Sequence, residues 1–134
     1  VISAVRVPKE DVSRYGIVEA TNVEKNIWQI QKLLEKPNVQ EAPSNLAAHG
    51  CNKHTPHILP ILEHITPGRG GEIWLTDAIT ALAKEQDIYA VEIQNGKYYD
   101  TGNKLDYLKA CVEFGIKHPD LNGDFRSFLK GLQL

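Results

Sequence analysis

The chain has 134 residues, 42% of them hydrophobic and 24% charged, with a formal net charge of −2. This is ordinary globular composition, and a chain of this length buries roughly two thirds of its unfolded surface. The faintly acidic balance argues against a phosphate-tracking nucleic-acid binder, and no apolar stretch has the length of a membrane span or the layout of a signal peptide.

Residues 1–7 alternate as a short strand that Pro8 ends, because proline cannot donate to a ladder. Residues 11–15 read as a helical turn before a strand at 16–21. The polar stretch 21–26 is turn-forming, and 27–34 returns as a strand carrying Glu35 and Lys36 at its end. Residues 38–44 form a loop, and 45–50 a strand of poor propensity. In the run Ala48-His49-Gly50-Cys51-Asn52-Lys53-His54, polar residues stand where a buried strand needs apolar ones. A helix is expected from Thr55-Pro56, with Thr55 as cap and Ile58, Leu59, Ile61 and Leu62 as its apolar stripe. After a glycine-rich loop at 66–71, a second helix is expected over 75–85, with Thr76 as cap and Ile79, Leu82 and Ala83 inward. Residues 88–93 and 97–99 flank Asn95-Gly96, a type I′ hairpin signal. Amphipathic helices at 104–117 and 124–132 finish the chain, separated by Pro119. Interleaved strands and helices predict an α/β unit, a layered mixed sheet with flanking helices.

Two further counts bear on context. Cys51 and Cys111 are too few for a disulfide framework, so a reducing cytoplasm is the expected compartment. The chain opens at Val1, in what already reads as a strand, and holds no methionine. The expectation is a single domain or a fragment over 1–134, cut from a larger fold.

The chemistry concentrates in Leu34-Glu35-Lys36-Pro37 and Tyr99-Asp100-Thr101-Gly102, each placing ionisable side chains where a strand is expected to end. In open α/β sheets, ligands collect outside the carboxyl ends of strands, so a lysine, a glutamate and an aspartate arriving there point to an anionic ligand and a metal. Neighbours on a strand face opposite sides, so Glu35 and Lys36 are not a simple surface pair. Read singly, each has a plainer alternative. Gly16 fits a strand-start glycine, and Asp100 a turn aspartate bonded to its own backbone.

Several blocks occur in a fixed order: residues 8–18 around Arg14-Tyr15-Gly16, then Glu35-Lys36-Pro37, then Glu41-Ala42-Pro43-Ser44-Asn45-Leu46-Ala47. After these come Gly70-Gly71-Glu72-Ile73-Trp74-Leu75-Thr76-Asp77-Ala78-Ile79 and Tyr99-Asp100-Thr101-Gly102-Asn103-Lys104-Leu105. The series resembles the carboxyl-terminal half of bacterial UTP–glucose-1-phosphate uridylyltransferases, in the sugar-phosphate nucleotidyltransferase family, over nearly the whole chain. The resemblance implies part of a Rossmann-like nucleotidyltransferase fold that makes UDP-glucose and pyrophosphate from UTP and glucose-1-phosphate. It implies that Lys36 contacts the sugar phosphate, Glu35 accepts from sugar hydroxyls and the Gly16 backbone approaches the ring. It also implies that Asp100 ligates Mg2+ and that the protein is a homo-oligomer. The family's glycine-rich nucleotide loop and second magnesium aspartate belong to its amino-terminal half and are not among these residues, so this chain alone is expected to be inactive.

Two other readings stand beside this one. The first is a non-catalytic binding or oligomerisation module derived from the same fold. The second is a metal-binding protein using His49, Cys51, His54, His57 and His64, although their spacing matches no paired zinc motif.

Overall fold

Two nine-residue strands form the centre of the fold. Gly16–Glu24 (β2) and Ile27–Glu35 (β3) pair antiparallel, from Gly16 opposite Glu35 to Glu24 opposite Ile27. The turn between them is tighter than the polar stretch 21–26 suggests. β2 runs on to Glu24, and Asn26 takes the left-handed backbone (φ 63°) that a two-residue turn requires. This computed structural model describes residues 1–133, with backbone alone at Arg69. It divides into two units, Val1–Gly96 and Lys97–Leu134.

In the first unit, β1 (Ile2–Arg6), β4 (Leu46–Asn52) and β5 (Tyr89–Glu92) join β2 and β3 in the order β1-β4-β2-β3-β5, and β5 returns to pair with β1. The sheet is mixed and flanked by helices, as expected, and it also closes on itself. Only β5 runs parallel to a neighbour, with Ile2 opposite Ala90 and Ala4 opposite Glu92. It follows β4 in sequence after a long helical connection, and parallel neighbours need such a crossover instead of a tight hairpin. The weak strand forms with Ala4 opposite Ala48 and Arg6 opposite Leu46. Its buried residues Leu46 and Ala47 lie at the start, and the polar residues follow on the exposed end.

Consecutive residues are buried at Ile17-Val18 and at Leu46-Ala47, so both faces of the sheet are covered there. One face gives Val18, Ile30, Leu33 and Leu46 to a core with Ile58, Ala78, Ile79 and Leu82 from helices α1 (Ile58–His64) and α2 (Leu75–Leu82). The other packs Ile17 and Ala47 on Val7 and on Val12, which belongs to the short 3-10 helix Lys9–Arg14. Two helix starts differ from the sequence reading. Thr55 does not cap α1, which begins at Ile58 behind His57. Thr76 lies inside α2, behind Trp74, and makes no cap bond.

The edge of β3 is the weak point of this closure. β5 pairs with β3 at residues 27–29, and Ile30 N–H donates to the Ile88 carbonyl (2.8 Å). Beyond that the edge of β3 has no strand partner. There the Thr80 hydroxyl of α2 accepts from Leu33 N–H (2.9 Å) and lies 3.1 Å from the Leu33 carbonyl and 2.9 Å from the Thr76 carbonyl, to one of which its proton goes. A second cross-link gathers β1, β3 and β5. Arg6 grips the Glu92 carboxylate through Nε (3.1 Å) and Nη2 (3.3 Å), Trp28 Nε1 donates to the same group (3.0 Å), and the guanidinium sits 5.2 Å from the Trp28 ring centroid.

The second unit contains α3 (Lys104–Lys117) and α4 (Asn122–Gly131). Asn103 caps α3, its side chain accepting from the backbone N–H of Leu105 (3.0 Å) and Asp106 (3.2 Å). The helices meet at Gly115, where a Cβ would lie 2.7 Å from the Phe125 ring. Residues 97–99 do not form the second arm of a hairpin. Both edges of β5 are already paired, by β1 and by β3, so no ladder position remains for them. Lys97 instead bonds the Glu113 carboxylate on α3, and the Tyr99 hydroxyl donates to its other oxygen (2.6 Å).

Two outcomes follow. Thr80→Val keeps the shape but strands the Leu33 N–H, and should cost about 1–3 kcal/mol of stability. Thr80→Ser should keep most of it, both read from urea midpoints. The second outcome concerns pH. Hydrogen bonds from Lys97 and then Tyr99 hold the Glu113 carboxyl below its ordinary value of 4.5. Its contribution is therefore present above that pH and fades as pH falls through the lowered folded-state pKa. The Glu113 bond raises Lys97 above 10.5, so that part persists below 10.5 and is lost as pH rises past the raised value. Titrating the Glu113 side chain by NMR checks this: an ordinary carboxyl pKa would mean the bonds are not formed in solution.

Candidate active site

The register of the central hairpin sets the first cleft. Gly16 opens β2 directly opposite Glu35 at the end of β3, so a bare backbone faces a carboxylate. A Cβ on Gly16 would lie 3.0 Å from Thr76 Cγ2 and 3.3 Å from Glu35 Oε2. A β-carbon there would press on the walls of a cleft of about 290 Å³, lined also by Leu33, Ala48 and His49. Thr76 is buried, and its hydroxyl has no hydrogen-bond partner among the described residues. Glu35 is half-buried. A half-buried carboxylate beside a half-buried backbone that carries no side chain suits a neutral polyol, whose hydroxyls donate to the carboxylate oxygens.

Lys36 faces elsewhere. It lies just past the end of β3 with φ 43°, in the left-handed region, and its N–H donates to the Tyr15 carbonyl (3.0 Å). A non-glycine residue there costs roughly 1–2 kcal/mol, and such strain persists where the surroundings impose it. Here the Tyr15 bond and the buried Pro37 impose it. The bend sends Lys36 into a second cleft of about 490 Å³, shared with Ser13, Asn38, Glu72 and Trp74. Trp74 Nε1 donates to Glu72 (2.9 Å). Among the described residues no carboxylate pairs with Lys36, so its ammonium remains available to an anion. The expected opposite facing of Glu35 and Lys36 thus occurs, produced by the backbone bend as well as by alternation. Ser13 and Trp74 were not singled out in the sequence, and nothing in their spacing marks them.

Asp100 belongs to the second unit. It is half-buried and sits in a turn instead of at a strand end. Its Oδ1 accepts from Gly102 N–H (3.0 Å) and its carbonyl from Asn103 N–H (2.9 Å). This is the self-bonded turn aspartate that its neighbours allow. The carboxylate is nonetheless a hard oxygen donor in a fixed orientation, and magnesium accepts one or two protein carboxylates, with water and substrate phosphate completing its shell. The donor set therefore fits that ion as a single protein ligand. Among the described residues, no three His, Cys, Asp or Glu side chains come together to hold a metal, which removes the His/Cys centre. His64 Nδ1, for example, is bonded to the Pro60 carbonyl (2.8 Å). No helix of the described residues is long and apolar enough to cross a membrane.

Known proteins resemble this chain over nearly its whole length. A protein of Methanocaldococcus jannaschii, named as a UTP–glucose-1-phosphate uridylyltransferase, is 46% identical over 133 residues, which cover 98% of this chain and 47% of that protein. UTP–glucose-1-phosphate uridylyltransferase 2 of Streptococcus pyogenes serotype M3 is 41% identical over 129 residues, covering 96% and 43%. The solved UTP-bound UGPase from Acinetobacter baumannii superposes with a TM-score of 0.84 at 36% identity, covering 98% of this chain and 45% of that one. The chain thus spans less than half the length of the relatives it matches. The family model described as nucleotidyl transferase matches residues 1–115, and this chain belongs to that family.

Proposed function

We propose that this chain is the sugar-phosphate-binding, carboxyl-terminal part of a UTP–glucose-1-phosphate uridylyltransferase of the bacterial type. The observation that carries the reading is the divergence of two consecutive side chains: Glu35 beside the bare Gly16 backbone, and Lys36 turned into a separate cleft without a carboxylate partner. Glucose-1-phosphate has that same polarity, with neutral hydroxyls at one end and a dianion at the other. Glu35 accepts from the hydroxyls, the Gly16 main chain lies close to the ring, and Lys36 offsets the phosphate charge as the sugar phosphate oxygen approaches the α-phosphorus of UTP. Pyrophosphate leaves with the electron pair of the broken bond, and UDP-glucose forms. Holding the attacking phosphate in line is the larger part of such catalysis, since phosphoryl and nucleotidyl transfers depend mainly on positioning and charge stabilisation. Magnesium, when held at Asp100, supplies further charge neutralisation at the phosphates. The base- and triphosphate-binding parts belong to the amino-terminal half of the relatives, with which these residues work. The proposed setting is a cytoplasmic homo-oligomer.

In the intact enzyme, Lys36→Ala should lower kcat/KM at least about 100-fold, the scale of removing one preorganised charge donor. A near-wild-type rate would remove Lys36 from the site and favour a non-catalytic module. The 134-residue chain by itself should form no UDP-glucose, since it offers no cradle for the triphosphate. Turnover by the purified chain, followed as pyrophosphate release, would overturn that.

A further inference from the structure

We propose that Glu113 is a positioning residue for Asp100. The inference rests on the reading of Asp100 as the magnesium-holding carboxylate.

Residues 97–100 have no strand partner, yet the segment is held. Lys97 and Tyr99, two residues apart, bond the two oxygens of the same Glu113 carboxylate. The Tyr99 ring meets that of Phe114, the next residue of α3, at 5.8 Å and 52°, and the Lys97 ammonium lies 5.1 Å from the Tyr99 ring centroid. One turn of α3 therefore fastens the chain immediately before Asp100. On the other side the Asp100–Gly102 bond and the Asn103 cap fasten the chain immediately after it. A lone surface ion pair is worth little. Here a charge pair, a phenol bond and a ring contact converge on two adjacent helix residues, and their common effect is to fix where one carboxylate stands. Groups that orient a metal ligand without touching the metal change its affinity by 10–100-fold when removed.

The test uses the 134-residue chain and Mn2+, read as the concentration at which the ion broadens the backbone NMR signals of residues 100–102. Glu113→Ala should shift that concentration upward about tenfold while hydrogen-exchange protection along α3 is kept. Glu113→Gln, which still accepts from the Tyr99 hydroxyl and remains available should the alanine variant misfold, should recover part of the affinity. Asp100→Asn should abolish the local broadening. If Glu113→Ala and Glu113→Gln bind Mn2+ as the parent does while Asp100→Asn loses it, Glu113 is a structural partner only and the proposal fails with the magnesium reading intact. If Asp100→Asn leaves the broadening unchanged, the magnesium reading falls and the proposal falls with it.

Discussion

The bond between the Thr80 hydroxyl and the main chain of Leu33 is the constraint on which the first unit depends. A strand whose partner ends early exposes backbone donors and acceptors that have to be satisfied or solvated. β3 loses β5 after Ile30, and a hydroxyl on a helix takes the place of the missing strand. The bond fixes the height and rotation of α2 over the sheet. Thr76, one turn before Thr80, is thereby brought down onto the start of β2. The Thr76 methyl lies 3.0 Å from where a Gly16 Cβ would stand, so the helix docking leaves a β-carbon there little room. The cleft beside Glu35 is thus a by-product of how an edge is covered.

The second constraint is the left-handed residue at the end of β3. Adjacent side chains on a regular strand face opposite sides. The bend at Lys36, braced by the Tyr15 carbonyl and followed by Pro37, turns the chain at that point, and Lys36 lines a different cleft from Glu35. The site gains two poles from two consecutive residues. A glycine at this position would relax the backbone and lose the ammonium, and only a strained lysine supplies both the bend and the charge.

How much of this was legible in the sequence varied with the range of the interaction that decides it. The strands of the central hairpin follow from apolar runs on either side of a polar turn, and α3 from its amphipathic period, signals carried within a few residues. The Asn95-Gly96 hairpin signal was equally local and failed: Asn95 does take a positive φ of 56°, but both edges of β5 were filled by β1 and β3, from the far end of the chain. Thr76 read as a cap because threonine near an aspartate at a helix start commonly is one. The clamp at Thr80, 47 residues from Leu33, buries it instead. The facing of Gly16 and Glu35 was not read in advance, since the two strand ranges and the polar turn between them leave the register open until the strands pair. The backbone angle of Lys36 and the presence of Ser13 and Trp74 in its cleft were not either, since they depend on how loops from three parts of the chain converge.

Two lysines in this chain show how similar side chains come to different uses. Lys97 is held by Glu113 and lies against the Tyr99 ring, its charge already answered and its pKa raised by the bond. Nothing is gained by bringing an anion there, because the anion would have to displace a carboxylate that is also accepting from a phenol. Lys36 takes the left-handed bend and lines a cleft with Glu72, whose carboxylate accepts from Trp74 Nε1. Among the described residues no carboxylate bonds its ammonium, so under the proposed function that charge is the one a sugar phosphate would meet.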